Sequence, residues 1–334
     1  MKTTEPLLEL TNLQLTIKDP ASRKPIPILH DVTFSASAGE VVSVVGESGS
    51  GKSMTTRSIM RLLPNGSRTA GSVRFDGRDV LTQSARAQAS FRASSVGMIY
   101  QDPRAHINAL WTVGDFLIEG VVSSGKLSRR AARDRAIERL GEVGIMDGER
   151  RMLQYPYQLS GGLLQKVMIV AALMSDPDLI IADEATTALD VTVQAEVMDV
   201  LRRMQRERDV TMLFITHDLD LASSVADKIV VMYAGRVVER GAARAIYESP
   251  THPYTSALLQ SRPNPHSRAR LISIPGRPIS AAEATTGCAF ADRCRFAIDV
   301  CRTETPQMRS VNGSDVACHR AEEIHTQLEG AQHG

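Results

Sequence analysis

Residues 41–53 read VVSVVGESGSGKS, and no other stretch limits so strongly what this chain can fold into. Val41, Val42, Val44 and Val45 make a short β-branched run, the pattern of a buried parallel strand. Gly46, Gly51, Lys52 and Ser53 then complete G-x-x-x-x-G-K-[ST], the phosphate-binding loop. The spacing has a chemical reason. The backbone of Gly46, Glu47, Ser48, Gly49, Ser50 and Gly51 can curl so that successive N–H groups point at phosphate oxygens, and the following helix adds its positive N-terminal end. From there Lys52 can reach the β- and γ-phosphates, and the Ser53 hydroxyl can ligate Mg²⁺. A chance glycine-rich turn is the alternative. The strand before the loop and the helix-compatible MTTRSIMRLL after it argue against that. The stretch predicts a nucleotide site.

A chain of 334 residues has room for one large domain and an appendage. Its 43% hydrophobic and 23% charged content suits a soluble globular protein, and a net charge of +1 gives no reason to expect nucleic acid as a partner. Arg129, Arg130, Arg133 and Arg135 form a local basic stretch that reads as a solvated helix face. MKTTEPLLEL lacks the apolar core of a signal peptide. The longest apolar run, VMIVAALM at 167–174, is far too short to span a bilayer, so any membrane role is expected to be peripheral.

Residues 7–17 alternate as a half-exposed strand, 22–28 read as a turn or loop, and 30–40 as a second strand. A hairpin is expected at 72–80 through Asp76-Gly77, and a strand running into a loop at 94–103. Residues 112–153 are helical in pattern and rich in arginine, a helical insertion. An apolar strand at 178–185, a helix at 193–207, a strand at 210–216 and two strands around Ala234-Gly235 follow. This alternation predicts a parallel α/β core. Beyond about 245 the prolines thicken (Pro250, Pro253, Pro263, Pro265, Pro275, Pro278), which predicts a linker into a separate C-terminal piece.

Further polar residues stand where such a core presents its ligand edge. Asp183 and Glu184 close the apolar run 179–182; there one acid can hold Mg²⁺ and the other polarise an attacking water, or the pair can simply cap a helix. Gln101 and His217 each follow an apolar strand in the same way. Ser160, Gly161 and Gly162 open a helix, either as a second anion-binding N-terminus or as an ordinary N-cap followed by glycines.

The order of GESGSGKS, Gln101, LSGG at 159–162, LIIADE, ALD at 188–190 and His217 resembles the ATP-binding cassette (ABC) ATPases. More narrowly, YQDPRAHINAL (100–110), HPYTSALL (252–259) and the terminal cysteines resemble the ATPase subunits of bacterial oligopeptide and dipeptide importers, over roughly residues 5–320. The resemblance implies an α/β P-loop NTPase of ABC type: a mixed sheet core with an antiparallel β-subdomain and a helical subdomain at about 104–165. The ATPase domain would span 5–245 and a small Cys-containing C-terminal domain 246–334. It also implies roles. Lys52 and Ser53 bind phosphate and Mg²⁺; Gln101 senses Mg²⁺ and couples to membrane subunits; Asp183 supports the metal. Glu184 is the general base, His217 contacts the γ-phosphate, and Ser160, Gly161 and Gly162 complete the site of a partner cassette in a head-to-tail dimer.

Function follows the same way: an ATP-hydrolysing subunit, peripheral on the cytoplasmic face of the bacterial inner membrane, driving uptake of peptides or related small solutes. Its partners are permease subunits, a second ATPase subunit (a sister chain or a copy) and, indirectly, a solute-binding protein. The alternative is a soluble ABC ATPase without a permease, acting in repair, translation or cluster assembly. Two departures stand out. Pro25-Ile26-Pro27-Ile28 offers no aromatic for stacking on adenine, and Leu164 stands where the peptide subfamily more often has Arg.

Cys288, Cys294, Cys301 and Cys318 are spaced C-x5-C-x6-C-x16-C. Disulfides are one reading, disfavoured in a chain without a signal peptide. Structural zinc is another, but the short C-x2-4-C knuckle is missing. Wide gaps, four thiolates and the nearby cations Arg293, Arg295 and Arg302 favour a [4Fe-4S] cluster, to which the importer family's similar C-terminal segments also point, with His319 beside it.

Overall fold

The computed structural model describes residues 5–19, 23–185, 190–261, 273–284 and 286–330. Its first strands are β1 (Leu8–Lys18), β2 (Pro25–Ala36), β3 (Val41–Val45), β4 (Arg68–Phe75), β5 (Arg78–Asp79) and β6 (Val96–Ile99). They are followed by β7 (Leu179–Asp183), β8 (Thr211–Thr216), β9 (Lys228–Tyr233), β10 (Arg236–Ala242), β11 (Arg309–Val311) and β12 (Ser314–Val316). Contacts divide the chain into two compact units. One is mostly helical and contains Ser37–Glu40 and Thr82–Ile215; the other, built on two sheets, contains Glu5–Ala36, Val41–Leu81 and Thr216–Gly334.

In the two-sheet unit an antiparallel sheet runs in the order β2-β1-β4-β5. The sequence suggested a loop at 22–28, yet β2 already begins at Pro25, with Pro25 opposite Lys18 and Pro27 opposite Thr16. Prolines are tolerated there because β2 is a sheet edge, where a missing N–H costs no ladder bond. The hairpin at Asp76-Gly77 forms as expected: both residues have positive φ (48° and 71°) and Phe75 pairs with Arg78.

The second sheet of this unit carries β3 parallel to β9, then β10 antiparallel, then β12 and β11. Every residue of β3 is buried, which is why its sequence is four valines around the small Ser43 rather than an apolar/polar alternation. The β11–β12 hairpin was not anticipated. Its turn, Asn312-Gly313 with φ of 50° and 83°, is the strongest short-range hairpin signal in the tail. By pairing β12 with β10 (Glu239 opposite Val316) the tail extends the sheet that carries β3.

The helical unit places β7 between β6 and β8, all parallel. Helices Val113–Ser123 and Arg129–Glu142 fall in the stretch 112–153 expected to be helical, and Gly161–Leu173 comes after it, each started by a side-chain cap from Thr112, Ser128 or Ser160. Helix Gly161–Leu173 buries Leu164, Val167, Met168, Ile169 and Val170, so it is apolar on most of its circumference. The arginine-rich helix is only partly a solvated face. Arg135 and Arg139 reach Asp176 at 2.8 Å each, and Arg139 also pairs with Glu142 at 2.7 Å.

Candidate active site

The pairing of β3 with β9 ends at Val45 opposite Val231, so Gly46 leaves the sheet at the carboxyl end of a parallel strand. A side chain is impossible there: a Cβ on Gly46 would sit 2.2 Å from the Met232 carbonyl oxygen. The loop closes at Gly51, which caps helix Lys52–Met60 with φ 106°. Lys52 is buried and its Nζ donates to the carbonyls of Gly46 (2.7 Å) and Glu47 (3.0 Å), so the ammonium bridges the start of the loop. Ser53 stands in the first turn of the helix. The unit thus gathers all the residues from Gly46 to Ser53 into one cradle of glycines, backbone amides and one cation, the design for a polyphosphate.

Glu47 has partners that sequence reading missed. Its N–H donates to the Tyr254 hydroxyl at 2.9 Å. Its carboxylate accepts two bonds from Arg293, at 2.6 Å (Nη1) and 3.2 Å (Nη2). Tyr254 lies in the HPYT stretch, where His252 Nδ1 accepts from the Tyr254 N–H and the buried Glu239 carboxylate accepts from the N–H groups of Thr251 and His252. Burial lowers the His252 pKa to about 3, so this imidazole is neutral. Burial also raises the Tyr254 pKa, keeping the phenol protonated. For Arg293, burial works against the charge. Hydrogen bonds to Glu47 and Tyr233 and the Glu47 charge outweigh it and hold the guanidinium above its ordinary pKa. No local pattern connects position 293 to position 47; only the cation next to Cys294 was visible.

In the helical unit β7 ends on Asp183, and Glu184 follows in the left-handed region, φ 49°, with its N–H donating to the Ile215 carbonyl at 3.0 Å. A glutamate held there is strained, a feature that gathers at functional sites. Gln101, just beyond β6, donates its Nε2 to Glu184 Oε2 at 3.0 Å. Two residues 83 apart in sequence, each at the end of an apolar strand, are thus brought together. His217 is exposed beyond β8, directly before Asp218, the cap of helix Leu219–Val225. Ser160 caps helix Gly161–Leu173, its Oγ accepting from the Leu163 N–H at 3.4 Å. Gly161 faces open space, whereas a Cβ on Gly162 would meet Val193 Cγ1 at 2.7 Å. Of the ALD stretch, Ala188 and Leu189 lie outside the described residues, and Asp190 caps helix Val191–Arg208.

Residues 29–187 match the ABC transporter model, and residues 238–301 match the oligopeptide/dipeptide transporter C-terminal region. A putative peptide import ATP-binding protein of Brucella melitensis is 40% identical over 322 residues, 92% of this chain and 95% of that protein. The chain belongs to the oligopeptide/dipeptide ABC transporter ATPases. The dipeptide transport ATP-binding protein DppD of Haemophilus influenzae is 40% identical over 315 residues, 94% of this chain and 95% of that one. Among solved structures, the dimeric ATP-binding cassette MJ0796 bound to ADP and Pi matches with a TM-score of 0.63 at 28% identity, over 71% of this chain and 99% of that one. This ABC ATPase therefore has the mixed-sheet cassette fold and binds ATP. Among its described residues no helix is long and apolar enough to cross a membrane.

The ABC ATPase carries its four cysteines as free thiols. All four line one small cavity, together with His252 and His319. Burial raises Cys288 to about 11 and Cys318 to about 12, with Cys294 and Cys301 adding to both shifts. Cys294 is raised by burial as well. Against this, backbone amides favour the thiolates: those of Phe290 and Ala291 at Cys288, Phe296 at Cys294 and Arg320 at Cys318. Converging thiols, three of the four met by backbone N–H groups, are a donor set of the chemistry a thiolate-bound metal group takes. Among the described residues, however, no group of three or more His, Cys, Asp or Glu side chains is arranged to hold a metal ion. His319 Nε2 is engaged with the Glu304 carbonyl at 2.9 Å, which places it beside the thiols rather than among them.

Proposed function

We propose that this ATPase docks on membrane permease subunits and couples MgATP hydrolysis to uptake of di- or oligopeptides or related small solutes. The observation that carries the reading is one chain matching both the cassette and the peptide-transporter C-terminal region. The soluble alternative gives no account of that second region.

In this reading the Gly46–Ser53 loop holds the phosphates, with Lys52 neutralising charge between the β- and γ-groups. Ser53, Gln101 and Asp183 offer a hydroxyl, an amide and a carboxylate oxygen, donors suited to Mg²⁺, which would draw charge from the phosphates. Glu184 takes a proton from the attacking water and Gln101 orients that carboxylate through the bond at 3.0 Å. His217 contacts the γ-phosphate. Ser160, Gly161 and Gly162 serve the nucleotide of a partner cassette, in a heterodimer or a homodimer on the cytoplasmic face of the inner membrane, with a solute-binding protein supplying cargo from outside. Residues 5–245 act as the ATPase region, and 246–334 as an extension whose four thiols hold a [4Fe-4S] cluster, with zinc as the competing occupant.

The helical unit supports docking. Leu110, Trp111, Leu153 and Tyr157 are exposed. Backbone bonds Val113 to Gln154 (2.8 Å) and Gly114 to Met152 (2.9 Å) hold their two segments side by side. Apolar surface gathered this way marks an interaction site.

Glu184→Gln tests the mechanism. It is expected to keep MgATP binding, trap a nucleotide-bound dimer and lower turnover by about 10²-fold or more, the scale of general-base catalysis. Wild-type hydrolysis by the variant in the assembled transporter would remove Glu184 from that role.

A further inference from the structure

Arg293 stands in a short turn, Ala291–Arg293, directly before Cys294 and five residues after Cys288. Its side chain leaves the cysteine segment and ends on the phosphate-binding loop, 246 residues away in sequence. The guanidinium is only 5% exposed and makes a two-pronged pair with Glu47, itself 24% exposed. The fork is fixed from behind as well: Nε donates to the Pro275 carbonyl at 2.8 Å and Nη1 to the Tyr233 hydroxyl at 3.3 Å. Its Cζ lies 5.8 Å from the ring centres of both Tyr233 and Phe290.

A loop that must accept a polyanion here carries an acid of its own. Glu47 is the second residue of G-E-S-G-S-G-K-S, so the cradle's own loop carries an acidic side chain. Left alone, that charge would repel phosphate; paired with Arg293 it is neutralised and held to one side. The Tyr254 hydroxyl fixes the same residue through its N–H.

We propose that Arg293 is a positioning residue of the nucleotide site, which holds Glu47 away from the phosphates and transmits the folded state of the cysteine segment to the loop. This rests on the assignment of Gly46–Ser53 as the phosphate site. The mechanical link is short. Backbone bonds Cys288 O to the Ala291 N–H (2.9 Å) and Ala291 O to the Cys294 N–H (3.2 Å) tie Arg293 into the turn between two of the thiols. A rearrangement of those thiols moves the guanidinium.

Equilibrium binding of MgADP to the full chain tests it, with thermal unfolding run in parallel. Arg293→Met is expected to weaken Kd by about tenfold or more, corresponding to about 1.4 kcal/mol. Adding Glu47→Gln to that variant removes the stranded charge and is expected to restore affinity to within about threefold of wild type. Arg293→Lys, which keeps charge but loses the fork, is expected to fall between. A merely structural role predicts no rescue by Glu47→Gln. Cys294→Ser is expected to weaken MgADP binding in the wild-type background and to add nothing in the Glu47→Gln/Arg293→Met background. Unchanged affinity in Arg293→Met, absent rescue, or additive losses with Cys294→Ser would each overturn the proposal. Lys52→Ala separates the two readings: if it binds MgADP as wild type does, the phosphate-site assignment fails, and if only it loses binding, the Arg293 proposal fails alone. Should Arg293→Met not fold, Arg293→Lys and the double variant decide the question.

Discussion

Lys52 spends its charge on the loop it belongs to, donating to the first two carbonyls of the cradle. A lysine held this way needs no ordering when a phosphate arrives, so its contribution falls on affinity. Lys52→Ala is expected to weaken binding of a non-hydrolysable MgATP analogue by about tenfold or more, read by titration of the isolated subunit. Ser160 behaves differently. Within the subunit its Oγ does no more than cap a helix, a role worth about 1 kcal/mol. Ser160→Ala is therefore expected to leave analogue binding to the monomer unchanged while impairing hydrolysis in the dimer. A loss of monomer binding would put LSGG in the subunit's own site.

The two glycines of helix Gly161–Leu173 separate packing from ligand contact. Gly162 abuts Val193, so Gly162→Ala drives a methyl into the neighbouring helix and is expected to destabilise the unit by about 1–3 kcal/mol. Gly161 has nothing within 4 Å of a Cβ, so Gly161→Ala leaves the unfolding midpoint unchanged or slightly raised. If Gly161→Ala nonetheless slows hydrolysis in the dimer, the partner's nucleotide is what that face meets; full activity would mean the face is unused. In the tail, the hairpin and helix Ala321–Gly330 bury Val316, Ala321, Ile324 and Leu328, a small apolar cluster with Cys318 in it. A core this small leaves much of the segment's order to whatever the thiols hold. Anaerobically purified protein is expected to be brown with about four irons per chain. Cys294→Ser is expected to bleach it and to speed proteolysis between about 280 and 320. Stoichiometric zinc without iron would refute the cluster and keep the four-thiolate site.

At the scale of the molecule, the chain is an ATPase whose output must leave through another protein. Replacing Trp111 and Tyr157 together by serine is expected to spare the basal ATPase of the isolated subunit, since neither belongs to the nucleotide machinery. It is expected to lower permease-stimulated hydrolysis in reconstituted transporter several-fold, as loss of a buried aromatic anchor does at an interface. Unaltered stimulation would move the docking surface elsewhere.

The local sequence was enough for features whose physics is local. A strand buried on both faces is mostly apolar, admitting only small hydroxyls such as Ser43 and Thr211 in its interior, so β3, β7 and β8 were legible, as was the Asp76-Gly77 turn, whose backbone few residues adopt. The glycine-rich loop after β3 was legible because its tight turn dictates glycines at fixed positions, Gly46 against the Met232 carbonyl and Gly51 at the helix cap. Edge position was not: Pro25 and Pro27 read as loop until the sheet order made β2 an edge. The Asn312-Gly313 hairpin carries a local turn signal, but its short strands lie in a stretch poor in apolar runs. Gln101 and Glu184 were each marked by standing at a strand end, but the bond between them depends on β6 and β7 lying side by side. The grip of Arg293 and Tyr254 on Glu47 left no local trace. Long-range pairing is decided by which surfaces the packed sheets and the tail bring together, and no window of sequence contains both halves of such a contact.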